Sequence, residues 1–512
     1  MAGLALIPKI LACVAAIAGA ALAAPFAVAI RDGDNAISWA FGVPMGAGFV
    51  AALALIVPWV AKRVKRGRAR LAGDEPQRFN AADAAVAVGA VWVGLGIFGA
   101  IPLRLSGAFK SVVDAVFESV SGFTTTGATV LADVESLPRA VNLWRCETHW
   151  LGGMGVIVLV VALMPLLGIG GSRLISAETT GPEKGKLTSR VADTAKALWA
   201  IYAGLTLLET LLLRLCGMDW FNAVCHAFST LGTGGFSTRN ASVGAFGSAA
   251  AEWVCTAFMF AAAVNFAIYH RLLMRRDWSA LRGTEFKAFC RLACCAVAAI
   301  FAVLLFTRTA PFWKALRLAA FQVASLVSTT GFCSDDYDTW APAAKVVLLL
   351  LCFTGGSSGS TAGGPKIIRW AILAKQTGCE LERVLHPRAV FTSRIDGRPV
   401  RDGFLGMVGA FLFAYLALVA ATAIAGAIAG LPLLESFTAA LSMVGNIGPA
   451  FGKLGPAGNY GDLPAALKMW YCVAMVAGRL EIFTLLALCG RLVSLLRDSS
   501  RRPTTQLPTT HD

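Results

Sequence analysis

SGFTTTGATVL, residues 121–131, sets three consecutive threonines and a glycine directly after a run that reads as an apolar helix. Glycine beside threonine is common in polar loops, so this stretch gains meaning only from comparison with the rest of the chain. Three other windows align with it on a glycine. DAVFESVSGFTTTG ends at Gly127, NAVCHAFSTLGTGG at Gly235, LAAFQVASLVSTTG at Gly331 and ESFTAALSMVGNIG at Gly448. Six positions before each glycine stands a serine (Ser121, Ser229, Ser325, Ser442), and two before it stand Thr125, Thr233, Thr329 and Asn446. Nine before it stand Glu118, His226, Gln322 and Ala439. The glycines are 108, 96 and 117 residues apart, which marks a fourfold internal repeat.

The chain around these windows is oily. Of its 512 residues 57% are hydrophobic and 15% charged, whereas soluble domains average about 45–50% and about 25%. Mean hydropathy is +0.67. Apolar stretches such as Ile10–Ile30, Ile37–Ala61, Ala81–Leu103, Val141–Leu167 and Phe404–Leu434 are each long enough to cross a ~30 Å hydrocarbon core. The expected fold is therefore an all-α polytopic membrane protein in the lipid bilayer. The first run, with Lys9 before it and ALAA near its end, has the look of a signal peptide. Its length exceeds a usual signal core and Pro25 spoils cleavage after Ala24, so it is read as a retained span.

The formal charge of +15 does not point to nucleic acid. Lys and Arg cluster between spans, at 62–70, Arg271–Arg282, Lys375–Arg401 and Arg497–Arg502, whereas RDGDN (31–35) and SDDYDTW (334–340) are poor in them. That is the positive-inside pattern, which places the basic segments in the cytoplasm. The thirteen cysteines have no C-x-x-C spacing and lie mostly in apolar spans, where they pack as small hydrophobes. A membrane enzyme would need a cluster of His, Asp or Glu at one face. The five histidines, at 149, 226, 270, 386 and 511, have no metal-ligand spacing, and no organic cofactor is expected.

Each repeat reads as span, short half-helix, polar turn, span (M1–P–M2). The expected division is two leading helices in 1–70, M1–P–M2 units at 71–170, 190–275, 285–375 and 400–497, and a cytoplasmic tail at 498–512. Irregular backbone at membrane depth survives only when buried in protein or lining a watery cavity. Four equivalent units can surround one axis, so four turns can face their carbonyls inward and replace the hydration shell of a potassium ion. The candidate filter residues are Thr125, Thr126 and Gly127; Thr233, Gly234 and Gly235; Thr329, Thr330 and Gly331; and Asn446, Ile447 and Gly448. Each half-helix would aim its negative C-terminal end at the cation. No carboxylate stands in these turns, which argues for a weakly hydrated monovalent ion over a divalent one. Glu118, His226 and Gln322 can either brace the filter from behind or bond at the outer interface. Asp335 and Asp336 can concentrate cations or form a plain solvated loop.

A second break falls in the span Ala343–Ala374. There TGGSSGSTAGGPK (354–366) interrupts an apolar run. Gly359, Gly364 and Lys366 nearly make a phosphate-binding loop, but Pro365 intervenes and no βα context exists. An irregular intramembrane loop fits better, with Gly355, Gly356, Ser357, Ser358, Gly359, Ser360, Thr361, Ala362, Gly363 and Gly364 as candidate gate residues. Arg479, inside the last span, joins them, because an intramembrane arginine faces the bundle interior or a cavity. Glu481, two positions on, points to another face and is a poor partner for it.

These motifs resemble the bacterial TrkH/KtrB potassium-uptake family, its TrkH branch most closely. The likeness rests on GFTTTGATVL (122–131), WLGGMGVIVL (150–159), GTGGFST (232–238), STTGFCSDD (328–336), FTGGSSGSTAGGPKIIR (353–369) and GNIGPAFG (445–452). It implies four M1–P–M2 units around one pore, a homodimer in the bacterial inner membrane, and a cytosolic nucleotide-binding TrkA-like regulatory subunit. It also implies that the 354–366 loop and Arg479 close the pore under the filter. The second turn, with Gly232 and Gly234, and the fourth, with Asn446 and Ile447, depart from the threonine-rich pattern. A sodium- or proton-coupled symporter is the alternative. It would need ionisable residues within the spans, and few stand out besides Arg479 and Glu481.

Overall fold

The computed structural model describes residues 7–67, 81–155, 191–389, 391–400, 402–482 and 490. The chain opens with α1 (Ile7–Ala21), α2 (Ala23–Arg31) and α3 (Asn35–Gly67), followed by four similar groups of helices. The first group is α4 (Ala81–Leu105), the short α5 (Val112–Phe123) and α6 (Arg139–Gly153). The second is α7 (Val191–Leu215), α8 (Trp220–Gly232), and α9 (Ala249–Ala263) with α10 (Phe266–Arg275). The third is α11 (Thr284–Phe306), α12 (Phe312–Val327), α13 (Pro342–Leu351) and α14 (Ile367–Leu385), and the fourth is α15 (Asp402–Ile428), α16 (Leu433–Gly445) and α17 (Ala465–Arg479). A two-stranded hairpin, β1 (Arg394–Ile395) with β2 (Arg398–Pro399), lies between the last two groups.

Among the described residues six helices are long and apolar enough to cross a membrane, and α9 with α10 makes a seventh if that pair, bent by 91°, counts as one span. One predicted span needs correction, and another is described only in part. Phe404–Leu434 is not one helix, because α15 ends at Ile428 and Gly430 turns the chain at φ 90°. Val141–Leu167 begins as α6, which ends at Gly153; residues 156–167 of that run, like the 498–512 tail, lie outside the described residues.

The short helices α5, α8, α12 and α16 fall on the four windows that align in the sequence. Ser111 and Asp219 cap the first two, accepting from Val113 N (3.2 Å) and Asn222 N (3.3 Å). The other two follow Pro311 and Pro432, residues that favour an extended approach to a helix start. All four are buried along most of their length, and they pack against the third helix of their own or a neighbouring group. The leading helices pack outside this arrangement, α1 against α3 and α4 and α2 against α6.

Candidate functional site: the four-turn ring and the loop beneath it

Each short helix ends in the same way. Thr125, Thr233, Thr329 and Asn446 adopt left-handed backbone with φ of 53–55°. The next residue but one, Gly127, Gly235, Gly331 or Gly448, has φ of 79–100°. The N–H groups of Thr126, Gly234, Thr330 and Ile447 donate to the carbonyls of Ser121 (2.8 Å), Ser229 (2.9 Å), Ser325 (2.8 Å) and Ser442 (3.0 Å). This is the six-to-one closure of a Schellman motif. The serine in register is therefore explained by its backbone position as well as its size. Threonine in left-handed backbone costs about 1–3 kcal/mol per residue and persists only where the surroundings over-determine it.

The four turns meet in cyclic order. A Cβ added at Gly127 would fall on the Gly234 carbonyl oxygen, at Gly235 on that of Thr330, at Gly331 on that of Ile447 and at Gly448 on that of Thr126, all inside 3.0 Å. First touches second, second third, third fourth, and fourth returns to first. A cavity of about 110 Å³ opens above this ring, and all four glycines line it.

Behind the ring, Glu118 accepts from Thr129 Oγ1 (2.9 Å), Val130 N (3.0 Å) and Arg145 Nε (2.8 Å), an ion pair closed off from solvent. His226 Nε2 bonds Ser237 Oγ at 2.9 Å. These two thus brace the strands that leave the first and second turns, while both polar side-chain atoms of buried Gln322 lack a partner among the described residues. In the fourth group, where Ala439 has no polar reach, Tyr460 Oη donates to Gly448 O (2.9 Å) and Tyr337 Oη to Ala450 O (2.9 Å). Asp335 and Asp336 make local loop bonds, to Trp340 Nε1 and Asp338 N.

Beneath the ring, residues 352–366 break the helix between α13 and α14. Gly363 N donates to Thr329 Oγ1 (2.6 Å), and a Cβ at Gly363 would strike the Gly445 carbonyl. The loop therefore abuts the inner ends of the third and fourth turns. Its far side is clasped by the bent pair α9 and α10: Ser357 N donates to Ala263 O (2.9 Å), Phe266 N to Gly359 O (3.1 Å) and Thr361 Oγ1 to Ala262 O (3.1 Å). Arg479 donates through Nη1 to Thr361 O (2.8 Å) and through Nη2 to Gly152 O (2.7 Å) and Gly153 O (3.0 Å). It ties the loop to the end of α6. A larger cavity, about 430 Å³, lies on this inner side, and its walls include Gly363, Gly364, Lys366, Glu285 and Arg479.

Residues 55–492 match the family profile of TrkH, described as cation transport protein. The chain belongs to the TrkH family. The Trk system potassium uptake protein TrkH of Halomonas elongata is 42% identical over 400 residues, 78% of this chain and 83% of that protein. The protein of the same name from Escherichia coli K12 is 38% identical over 402 residues, 78% of this chain and 83% of the relative. The crystal structure of the potassium transporter TrkH from Vibrio parahaemolyticus superposes with a TM-score of 0.82 at 32% identity, over 94% of this chain and 98% of that one. The chain is thus an all-α, multi-pass inner-membrane protein of a transporter family, not an enzyme.

In this TrkH-family chain the sequence reading undercounted ionisable groups at membrane depth. Glu209 lies within the candidate span Thr194–Leu215, fully buried, with neither carboxylate oxygen hydrogen-bonded among the described residues. Arg145, Glu147, His149 and Glu252 are buried as well. Glu209 and Glu252 each stand singly in an apolar run, and Arg145, Glu147 and His149 share one short stretch, RCETH, so none forms a recognisable site motif in the sequence. Glu481 pairs not with Arg479 but with Arg369 (2.7 Å), whose guanidinium also lies 3.8 Å from the Phe411 ring centroid. Glu285 Oε1, which accepts from Ser358 N (2.6 Å), and Lys366 Nζ, which donates to Ala362 O, anchor the loop. They lie far from the loop motif or on its edge, so spacing alone does not single them out.

Removing one member of the buried Glu118–Arg145 pair leaves the other charge unpaired, a cost of about 3–5 kcal/mol. Glu118→Ala is therefore expected to lower unfolding stability in detergent by that order. A loss under about 1 kcal/mol would show that the pair is not a structural brace.

Proposed function

We propose that the chain takes up potassium across the bacterial inner membrane, with the four turns 125–127, 233–235, 329–331 and 446–448 as its selectivity filter. The observation that carries this reading is the cyclic contact of each ring glycine with the next turn's carbonyl. It sets peptide oxygens close together at the ends of four half-helices, in the absence of any carboxylate. Such oxygens can stand in for the water shell of a weakly hydrated ion, and the helix C-termini add negative partial charge. The names of the Halomonas and Escherichia relatives support the choice of potassium. The loop 355–364 and Arg479 act as the gate, since they lie between the ring and the inner cavity. The division into two leading helices and four M1–P–M2 units is part of the same proposal. So are a homodimer and a cytosolic TrkA-like nucleotide-binding subunit, for which the basic stretch Lys375–Arg401, exposed at Lys375, Arg383, Arg388 and Arg394, offers a docking face.

A second reading, uptake coupled to protons or sodium, is favoured by Glu209. A buried carboxylate in a span, with no ion pair among the described residues, is costly and is by default a functional candidate. Proton or sodium movement that accompanies potassium uptake in proteoliposomes, and that Glu209→Gln abolishes, selects this reading. Uptake with no coupled ion leaves the channel-like one.

Two further outcomes follow from the main reading. Alanine at Gly127, Gly235, Gly331 or Gly448 places a methyl on a neighbouring carbonyl and so degrades potassium-over-sodium discrimination. Rubidium and sodium uptake ratios unchanged in all four variants would remove the filter assignment. Arg479→Ala unties the loop and takes a positive charge out of the cation path. Two unit charges 5 Å apart at an effective dielectric of about 20 repel by roughly 3 kcal/mol, worth about a hundredfold in rate. Flux is therefore expected to rise, and a fall in folded, inserted protein would make the arginine a structural tie instead of a gate.

A further inference from the structure

The second turn is the one that carries glycine immediately before its ring glycine. Where Gly234 stands, the other turns have Thr126, Thr330 and Ile447. Those side chains are used. The Thr126 hydroxyl meets Thr124 Oγ1 (2.8 Å) and accepts from Asn446 Nδ2 (2.9 Å), Thr330 Oγ1 meets Ser328 Oγ (2.6 Å), and Ile447 is fully buried. At the second turn the space is taken by a group from the first unit. A Cβ on Gly234 would overlap Cγ, Cδ2 and Nδ1 of His149, and a Cβ on Gly232 would overlap the His149 carbonyl.

His149 is held in that place from several directions. Its Nδ1 lies 2.8 Å from Gly122 O, so Nδ1 carries the proton, and Nε2 is without a partner among the described residues. Its ring stacks on Phe236 with centroids 4.2 Å apart. The other neighbour of Phe236 is Arg145, whose guanidinium lies 4.3 Å from the ring centroid and is itself fixed by Glu118. A continuous stack, Glu118 to Arg145 to Phe236 to His149, thus runs from the first short helix to the back of the second turn. Phe236 directly follows Gly235, so the stack grips the second turn on both sides of its ring glycine.

We propose that His149 is a specificity-setting positioning residue. Its imidazole, supplied by the first unit, forms the back wall of the second turn, and the glycines at 232 and 234 are the complement that lets the ring in. The departure of the second turn from the threonine pattern is then compensated from outside that turn. The inference rests on the filter reading above.

The test is the potassium-to-sodium uptake ratio of the purified full chain in proteoliposomes. His149→Ala opens a void behind Gly234 and is expected to lower the ratio about tenfold, a modest barrier difference of the size one packing contact supplies. His149→Phe keeps the stacked ring and is expected to stay within about twofold of the parent, inside the usual error of additivity. Gly234→Ala is expected to lower the ratio because its methyl meets the imidazole. The double variant Gly234→Ala with His149→Ala removes the obstacle and is expected to regain at least about threefold over Gly234→Ala alone, a coupling typical of residues in contact. A parental ratio in folded His149→Ala overturns the proposal. So does a tenfold fall in folded His149→Phe, or a double variant no better than the product of the singles. Should His149→Ala not fold, the Phe variant and the Gly234 pair still decide. Gly127→Ala run in parallel separates the two failures. If it also leaves the ratio unchanged the filter reading falls, and if it alone lowers the ratio only the role of His149 falls.

Discussion

Non-helical backbone inside a bilayer must be buried in protein or line a watery cavity, and the rest of this structure depends on how four turns meet that demand. In each turn the amide just after the left-handed residue folds back onto a serine carbonyl five residues earlier. This closure obliges a left-handed residue at the helix end, and three of the four are threonines. The carbonyl that follows lies against the ring glycine of a neighbouring turn. Left-handed threonine is intrinsically unfavourable, so the geometry survives because the short helices are sheathed on nearly all sides by the long ones.

The sheath is not fourfold. An ion pair braces the first turn, a histidine and a borrowed imidazole the second, and two tyrosine hydroxyls the fourth. Within one chain each repeat can diverge, because the ring requires only that its backbone be held. The side chains that hold it need not be the same. A ring of identical subunits would not have that freedom, since a change at one position would appear four times.

The loop beneath the ring couples two breaks in the helical frame. The bend between α9 and α10 leaves backbone groups unpaired, and so does the interruption between α13 and α14. Each satisfies the other, through Ser357 with Ala263 and Phe266 with Gly359. Arg479 adds a third strand of contact by donating to carbonyls of both the loop and the α6 terminus. A guanidinium suits this place because its several N–H donors can serve carbonyls of different elements at once. The loop is thus held by hydrogen bonds to the bent helix pair and to Arg479, and by one bond to Thr329 of the third turn.

Much was legible in the sequence itself. Hydropathy and the distribution of Lys and Arg determined a polytopic, helical membrane chain, and the register of serine, threonine and glycine in four windows determined the repeat and its turns. The glycine-rich interruption determined where a span would break. These signals are local: they depend on composition, on helix ends and on backbone conformations that few residues adopt. The cyclic order of the turns, the partners of Glu118, Arg479 and Glu481, and the meeting of His149 with Gly234 were decided only by tertiary structure. Apart from Glu118, whose partners lie 11 to 27 residues on in its own unit, each of these joins residues of different repeats or far apart in the chain. Their choice depends on how helices from different units pack and on which buried charge lies nearest, and no spacing along a single segment encodes that.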